Sequence, residues 1–575
     1  MKSNALSRII KIVLSVLAVF LLFWFMLPPL NPRSPQFWIF LISCILVCLA
    51  INFFSAIVMY LKENTEGGKF HPRKPSFSSW GKILKIIGIV FIVIVAILII
   101  GSIIGSQLFN AGKYNKLIAF EEGNFTEDVS EIKKDQIPVV DKDTASRLGK
   151  RKLGEISEYV SQFEIMDIYT QINYHGKPVR VTPLIYGDII KWFNNRSEGI
   201  PAYIMVDMTT QKATINKVED GIKYSTGEYF MRNVERYLRF KYPSKIFGNI
   251  SFEIDEEGTP YWVVSTVKYR IGLWSGSDIG GVILLNAVNG ECEYHDIDEV
   301  KKDDGDLQWI DQVYDSDLVL EHLNYNGKYR SGFFNSIFGQ KGVLQATEGY
   351  NYLAIDDDVY LYTGMTSVTS DESNVGFVLT NLRTKQTKYY EIPGAEEYSA
   401  MESAEGQVQH LSYSATFPLL LNVSERPTYF MSLKDSAGLV KMYAFVDVEQ
   451  YQIVGTGTTV DEARENYIAN LDKNNLLSES PKEEENEDVT KEELTGVITG
   501  ISSAVVEGNT NYYITVDISD EIFIVPVTWS DKLPFASIGD SAVLTYTTTE
   551  TEKDDESITH TELTDIDISF SEKSE

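Results

Sequence analysis

The chain has 575 residues, with 51 Lys and Arg against 81 Asp and Glu and a formal net charge of −30. So negative a field argues against nucleic acid or an anionic lipid surface as a partner of the chain as a whole. With 3 cysteines in this length, a disulfide-stapled secreted module is excluded.

The charge is unevenly distributed. Before Asn110 there are 10 Lys and Arg and 2 Asp and Glu, a net +8; from Asn110 onward the counts are 41 and 79, a net −38. Interleaved with the basic residues are three apolar runs, 9–30, 37–61 and 83–108. Each can cross about 30 Å of hydrocarbon at about 1.5 Å per residue. The first is too long for a cleaved signal, and Leu27, Pro28 and Pro29 offer no small-residue cleavage site. The first connection carries only Arg33, whereas the second carries Lys62, Lys69, Arg73, Lys74, Lys82 and Lys85. Positive charge is retained on the cytoplasmic side. The expectation is a three-helix anchor over 1–109 in a plasma membrane, with a cytoplasmic N-terminus and residues 110–575 extracytoplasmic. No charged residue interrupts the span centres, so the helices read as anchors rather than a conduction path. Gly101 and Gly105 form a small-xxx-small spacing that permits close helix approach.

Residues 110–150 are polar up to the extended Ile137-Pro138-Val139-Val140 and read as a stalk. Four segments then share a strand, a turn opened by Asp or Asn, a second strand and a helix-like stretch. The first strands begin at Ala202, Gly281, Gly376 and Met442, and the turn residues are Asp207, Asn286, Asn381 and Asp447. An Asx side chain bonds the backbone two residues on and closes such a turn. Two modules fall in 151–320 and two in 321–477. Upstream, 251–269 reads as a hairpin turning at Asp255-Glu256-Glu257-Gly258, and Cys292 falls in a strand, which favours a buried, inert cysteine over the alternative of an unpaired reactive thiol. Helices are predicted over 226–241, ending before Pro243, and from Val460 to Leu471. The acidic, apolar-poor stretch 478–493 cannot bury enough surface to offset its ordering entropy and reads as a linker. Five strand candidates over 494–570 suggest a small closed barrel of OB or SH3 kind, followed by a tail over 571–575. The fold class is therefore α+β: three transmembrane helices, tandem antiparallel sheet-plus-helix modules and a five-stranded barrel.

Motifs of catalysis are scarce. His175, His295, His322, His410 and His560 show no His-x-x-x-His spacing, and the chain lacks a nucleophile elbow and a phosphate loop. The chain reads as non-enzymatic, with no cofactor and no metal. An envelope hydrolase is the alternative, with His175 or His410 beside a carboxylate and a serine; an accessory or sensor subunit of a membrane complex is another. Asp356-Asp357-Asp358 and Asp371-Glu372-Ser373-Asn374 lack EF-hand spacing and read as solvated hairpin tips rather than Ca²⁺ ligands. One loop stands out: Phe333, Phe334, Ile337 and Phe338 sit in a Gly-bounded stretch, a candidate partner-binding loop.

The stretches Val206-Asp207-Met208-Thr209-Thr210-Gln211 and Leu285-Asn286-Ala287-Val288-Asn289-Gly290, each between two strands, resemble the Asp-x-x-Thr-Gly turn of PepSY and related cystatin-like modules. The resemblance covers short stretches of 200–300 and 425–472. PepSY-type modules are associated with restraining extracytoplasmic proteases and with membrane-bound sensory proteins. The resemblance thus implies a binding or regulatory role with a protein partner in the envelope, and it transfers no site residue.

Overall fold

The computed structural model describes residues 2–570, apart from 64, 67–68, 71–77, 132–136, 303–304, 356, 369, 478–488, 507–508, 531 and 554–555. The chain is a mixed α+β protein that divides into two compact units, Met1–Asn475 and Leu476–Glu575. Much of the predicted linker, with the tail and Lys74, lies outside the described residues.

The first unit opens with helices α1 (Lys2–Met26), α2 (Pro35–Glu63), α3 (Ser78–Ile104) and α4 (Gln107–Asn115). Ile9–Met26 and Pro35–Ser55 are long and apolar enough to cross a membrane. The described part of α3 from Gly88 onward meets α4 at a bend of 51°; counted as one broken span, that pair brings the total to three. Gly101 and Gly105 do not face another helix. A Cβ at Gly101 would overlap the Trp274 indole and one at Gly105 the Ser275 side chain, so a hairpin tip fills the notch that bare backbone leaves.

The segment expected to be a stalk is packed into the fold. Ile118, Phe125, Val129, Ile137, Val139 and Val140 are buried, and Glu121–Glu122 adds a parallel strand beside Lys388 and Tyr389. Its polar residues cover a surface while the scattered apolar ones point inward, a pattern that counting charge does not reveal. Asp141 caps α5 (Lys142–Gly154) by accepting from the Thr144 amide at 2.9 Å.

Among the described residues the rest of this unit is built on four antiparallel meanders. The first contains β1 (Thr170–Tyr174), β2 (Lys177–Tyr186), β3 (Ile200–Asp207) and β4 (Ala213–Ile222), with α6 (Ile189–Asn195) between β2 and β3. Helix α7 (Val234–Lys241) leads to the second: β5 (Phe247–Ile254), β6 (Pro260–Ile271), β7 (Ser275–Asn286) and β8 (Cys292–Asp296). The helix expected over 226–241 begins only at Val234. Asn233 caps it by accepting from the Arg236 amide at 3.1 Å, and Phe230–Arg232 is a separate single turn. Cys292 opens the edge strand and is half-buried rather than buried.

Helix α8 (Ser316–Tyr329) precedes the third meander, β9 (Asn351–Ile355), β10 (Asp358–Ser367), β11 (Ser370–Asn381) and β12 (Thr387–Tyr390). After α9 (Glu397–Gln407) comes the fourth: β13 (Leu419–Val423), β14 (Arg426–Lys434), β15 (Val440–Asp447) and β16 (Val454–Gly457), covered by α10 (Val460–Lys473). In each meander the third strand ends on the predicted Asx residue. Asp207 accepts from the Thr209 and Thr210 amides, Asn286 from Val288 and Asn289, Asn381 from Arg383 and Thr384, and Asp447 from Gln450, all within 3.1 Å. The second and third sheets share a core in which Val263, Ile279, Val282, Leu323, Leu361 and Val378 are buried.

The second unit is one antiparallel sheet. Its strands are β17 (Val489–Val506), β18 (Asn509–Val516), β19 (Ser519–Pro526), β20 (Ser541–Lys553) and β21 (Glu556–Ser569), in the order β19-β18-β17-β20-β21. Strand β17 begins at Val489, inside the segment read as linker. All five predicted strands are present, but the closed barrel is not: the sheet is open, with β19 and β21 at its edges. The 18-residue β17 pairs with β20 through its first half and β18 through its second, so the sheet coils over Ile498, Ile514, Val525, Leu544 and Ile568 without its edges pairing.

Candidate ligand-binding cavity

Strand β2 carries an arginine in the middle of an apolar run, Pro178-Val179-Arg180-Val181. Both faces of β2 are covered, so alternation cannot carry Arg180 to solvent, and the residue is buried, at 6% exposure. There it lines two adjoining cavities of about 380 Å³ and 230 Å³. Four elements converge on the larger: the 138–143 segment, β2, the start of β9 and strands of the fourth sheet. Tyr169, Met208, Tyr352, Phe417, Phe430 and Met431 supply aromatic and apolar wall. The smaller cavity extends past Thr170 and Gln171 to Asn249, Ser251 and Gln312, bringing in the second sheet.

The junction is held by polar ties between sheets. Asn351 donates to the Phe417 carbonyl at 3.0 Å, Ser432 to Val139 at 2.9 Å, and Gln211 to the Tyr443 hydroxyl at 2.8 Å. Within it, Arg180 donates from Nη2 to Gln171 Oε1 at 3.0 Å and from Nη1 to the Tyr169 carbonyl at 3.4 Å; Nε has no partner. Among the described residues no carboxylate forms an ion pair with it. The nearest acid in charge terms, Asp141, is engaged elsewhere, accepting from Lys434 Nζ at 2.5 Å. Burial pulls the guanidinium below the ordinary arginine pKa, against the smaller opposing influence of Tyr352, Asp141 and Tyr350. Lys142, itself exposed, lines both cavities, with Asp141 and Asp143 on the larger and Asp167 on the smaller.

Beneath the smaller cavity lie two buried acids. Gln312 donates to the Gln171 carbonyl at 3.0 Å, while its own amide and that of Asp311 donate to Glu253 at 3.3 and 2.8 Å. Burial pushes Glu253 up to about 7. Burial, and then the Glu253 charge, hold Asp311 well above the ordinary carboxylate range. Gln171 and Gln312 thus connect a buried cation to a carboxyl that holds its proton near neutrality.

An unpaired guanidinium N–H at an aromatic-walled cavity can donate to a carboxylate oxygen, its desolvation having already been met by folding.

The residues singled out from sequence lie elsewhere. His175 pairs with Glu256 at 3.1 Å on an exposed hairpin tip, His295 with Glu299 at 3.3 Å, and His322 is buried, donating to the Ser277 carbonyl at 2.8 Å. His410 is exposed. Among the described residues no histidine bonds a serine hydroxyl, and no three His, Cys, Asp or Glu gather as metal ligands. Asp358 is committed to Arg383 at 2.6 Å, while Asp356 and the side chains of Asp371, Glu372 and Ser373 lie outside the described residues. In the loop of phenylalanines, Phe333 stacks on Tyr329 at 6.2 Å, whereas Phe334, Ile337 and Phe338 are exposed. Arg180 escaped notice although it had a signal: a lone cation inside an apolar strand, facing Gln171 across the β1–β2 pair.

No protein-family model matches the chain, and no curated protein matches it in sequence.

Proposed function

We propose that the chain is a membrane-anchored binding protein of the cell envelope. In this reading α3 is a third span, the N-terminus is cytoplasmic and residues 110–575 are extracytoplasmic. The four meanders with their Asx turns act as repeated, PepSY-like modules that dock a partner, and the ligand group they receive is a carboxylate on an apolar body. The observation that carries this is Arg180: a buried guanidinium with a bare Nε and, among the described residues, no carboxylate ion pair, at the junction of the sheets. A peptide C-terminus and a free aromatic or aliphatic acid share the required chemistry.

The test is thermal unfolding of the full chain in detergent with three probes: hydrophobic dipeptides with free C-termini, the same dipeptides amidated, and phenylacetate. Saturable stabilisation by carboxylates, absent with the amides and absent in Arg180→Gln, is expected. Stabilisation by dipeptides alone identifies a peptide partner, and by phenylacetate alone a small acid. Equal shifts with acids and amides remove the carboxylate from the reading. For topology, a reagent confined to the outside should modify Lys328 and leave Lys74 untouched.

A further inference from the structure

The turn between α1 and α2 fixes one level of the membrane, since the spans Ile9–Met26 and Pro35–Ser55 both end there. The folded part grips this turn. Arg239 of α7 donates to the Leu27 carbonyl at 2.9 Å, the Leu30 amide to Pro243 at 2.6 Å, and Asn31 to Ser244 at 3.0 Å. Phe240 packs its ring on Phe23 and Trp24 at 5.5 and 5.9 Å, and Arg236 stacks over Trp24 at 4.7 Å. Trp24 lies two residues from the end of its span, the position of an interfacial aromatic anchor. Helix α7 is therefore at headgroup depth.

Contacts spread sideways from α7 at that depth. Arg236 donates to the Phe230 carbonyl at 2.9 Å, and the Phe230 ring lies 5.7 Å from Trp192 of α6. Around Trp192 the surface is apolar and uncovered: Ile190 is 69% exposed, and Ile189, Phe193, Phe230 and Met231 are exposed too. Arg196 sits over the Phe193 ring at 4.9 Å, and Arg232 bonds the Arg196 carbonyl. Residues 188–198 and 230–245 together hold 7 Lys and Arg against 3 Asp and Glu, Glu228 lying outside both stretches. The chain after Asn110 has the opposite balance.

The loop of phenylalanines belongs to the same pole. Trp274, seated over Gly101 of α3, donates to the Pro32 carbonyl in the α1–α2 turn at 3.2 Å, so the end of α3 is level with that turn. Three residues beyond Ile104, Gln107 bonds Tyr325 and Tyr329 of α8. From Tyr329 the rings of Phe333 and Phe334 follow in sequence, leaving Phe338 81% and Phe334 67% exposed.

We propose that this pole rests on the bilayer that α1 and α2 cross. Ile190, Phe193 and Phe230 on one side, and Phe334, Ile337 and Phe338 on the other, enter the boundary of the acyl region. Arg196, Arg232 and Arg236 meet the phosphates of anionic lipids. Two features select lipid over a protein occupant: both patches are continuous with residues already at the interface, and the basic rim is reversed in sign from the rest of the folded chain. The acidic remainder is held off the same surface by its own charge.

The full chain, with Cys44, Cys48 and Cys292 replaced by Ser, is placed in lipid nanodiscs of phosphatidylcholine with and without phosphatidylglycerol. An environment-sensitive fluorophore is attached at Ile190→Cys, Phe338→Cys or, as a control on α10, Glu465→Cys, and variants are accepted only when their thermal unfolding matches the parent. With a nitroxide near the headgroup end of the acyl chain, quenching at 190 and 338 should exceed that at 465 by at least about twofold. Removing phosphatidylglycerol, or introducing Arg196→Gln with Arg232→Gln, should reduce quenching at 190. The spans keep every variant in the disc, so detachment cannot produce the result. Quenching at either site no greater than at 465 overturns the proposal, as does a blue-shifted emission without quenching, which signals a protein occupant. Insensitivity to both anionic lipid and the arginine changes overturns its headgroup part.

Discussion

Two buried arginines in the first unit are solved in opposite ways. Arg383, at the turn between β11 and β12, donates from Nε and Nη2 to both oxygens of Asp358 at 2.6 and 2.8 Å, and from Nη1 to the Val300 and Lys302 carbonyls at 3.1 Å. Arg180 is nearly as buried but has two neutral acceptors and a bare Nε. A fork bonded this fully to one carboxylate and two carbonyls fastens the third sheet to the segment after β8. A cation without a paired carboxylate fastens little, and under the proposed function it is the arriving ligand that would pair it.

If that contrast is right, the largest loss should come from breaking the paired site. Arg383→Met leaves Asp358 partly buried with Asn381 as its remaining side-chain partner among the described residues, and should cost about 3–5 kcal/mol in chemical denaturation followed by tryptophan fluorescence. Arg426→Met should behave similarly, because the Asp447 side chain it pairs with at 2.7 Å is fully buried. Either variant unfolding like the parent would dissolve the distinction.

The acid beneath the cavity gives a smaller, pH-dependent effect. Glu253 titrates at about 7 when folded against an ordinary 4.5, so the folded state holds the proton more tightly. Its contribution to stability is fully present below the ordinary value and is lost as pH rises through about 7. Glu253→Gln should therefore gain on the parent across that window, by up to about 3 kcal/mol. Parallel stability curves for the two proteins from pH 4.5 to 7 would show that Glu253 does not titrate this way.

The smallest change in stability is expected at the unpaired site. Arg180→Gln should shift unfolding by no more than about 1 kcal/mol, because it removes a desolvated charge and retains one side-chain donor for Gln171. The same variant should lose all stabilisation by free carboxylates. A large loss of stability with ligand response retained would make Arg180 a structural residue like Arg383.

Much of the fold was legible because its signals are local. An Asx residue closing a turn needs only its own two or three successors, and Asp207, Asn286, Asn381 and Asp447 all do so. The five strands of the second unit were readable from alternation and turn residues. Closure was not, because whether β19 meets β21 depends on coiling accumulated along β17. The stalk reading failed over 110–150 for a related reason: Ile118, Phe125 and Val129 are spaced irregularly, and only the tertiary fold shows that one surface collects them. The cavity combines residues from 138 to 432, and none of its separations leaves a mark in sequence. The loop of phenylalanines was visible at once, but its neighbours in space were not.

The indole set against Gly101 has a mechanical consequence. With Trp274 in the notch and Ser275 against Gly105, α3 is keyed to the hairpin between β6 and β7. A helix displaced by one residue in register turns by about 100°, and here such a turn would carry a side chain into the space the indole fills unless the hairpin moved with it. Strands β6 and β7 continue from that tip into the shared core at Val263 and Ile279. The seat of α3 is thus continuous, through one hairpin, with the core that the second and third sheets share.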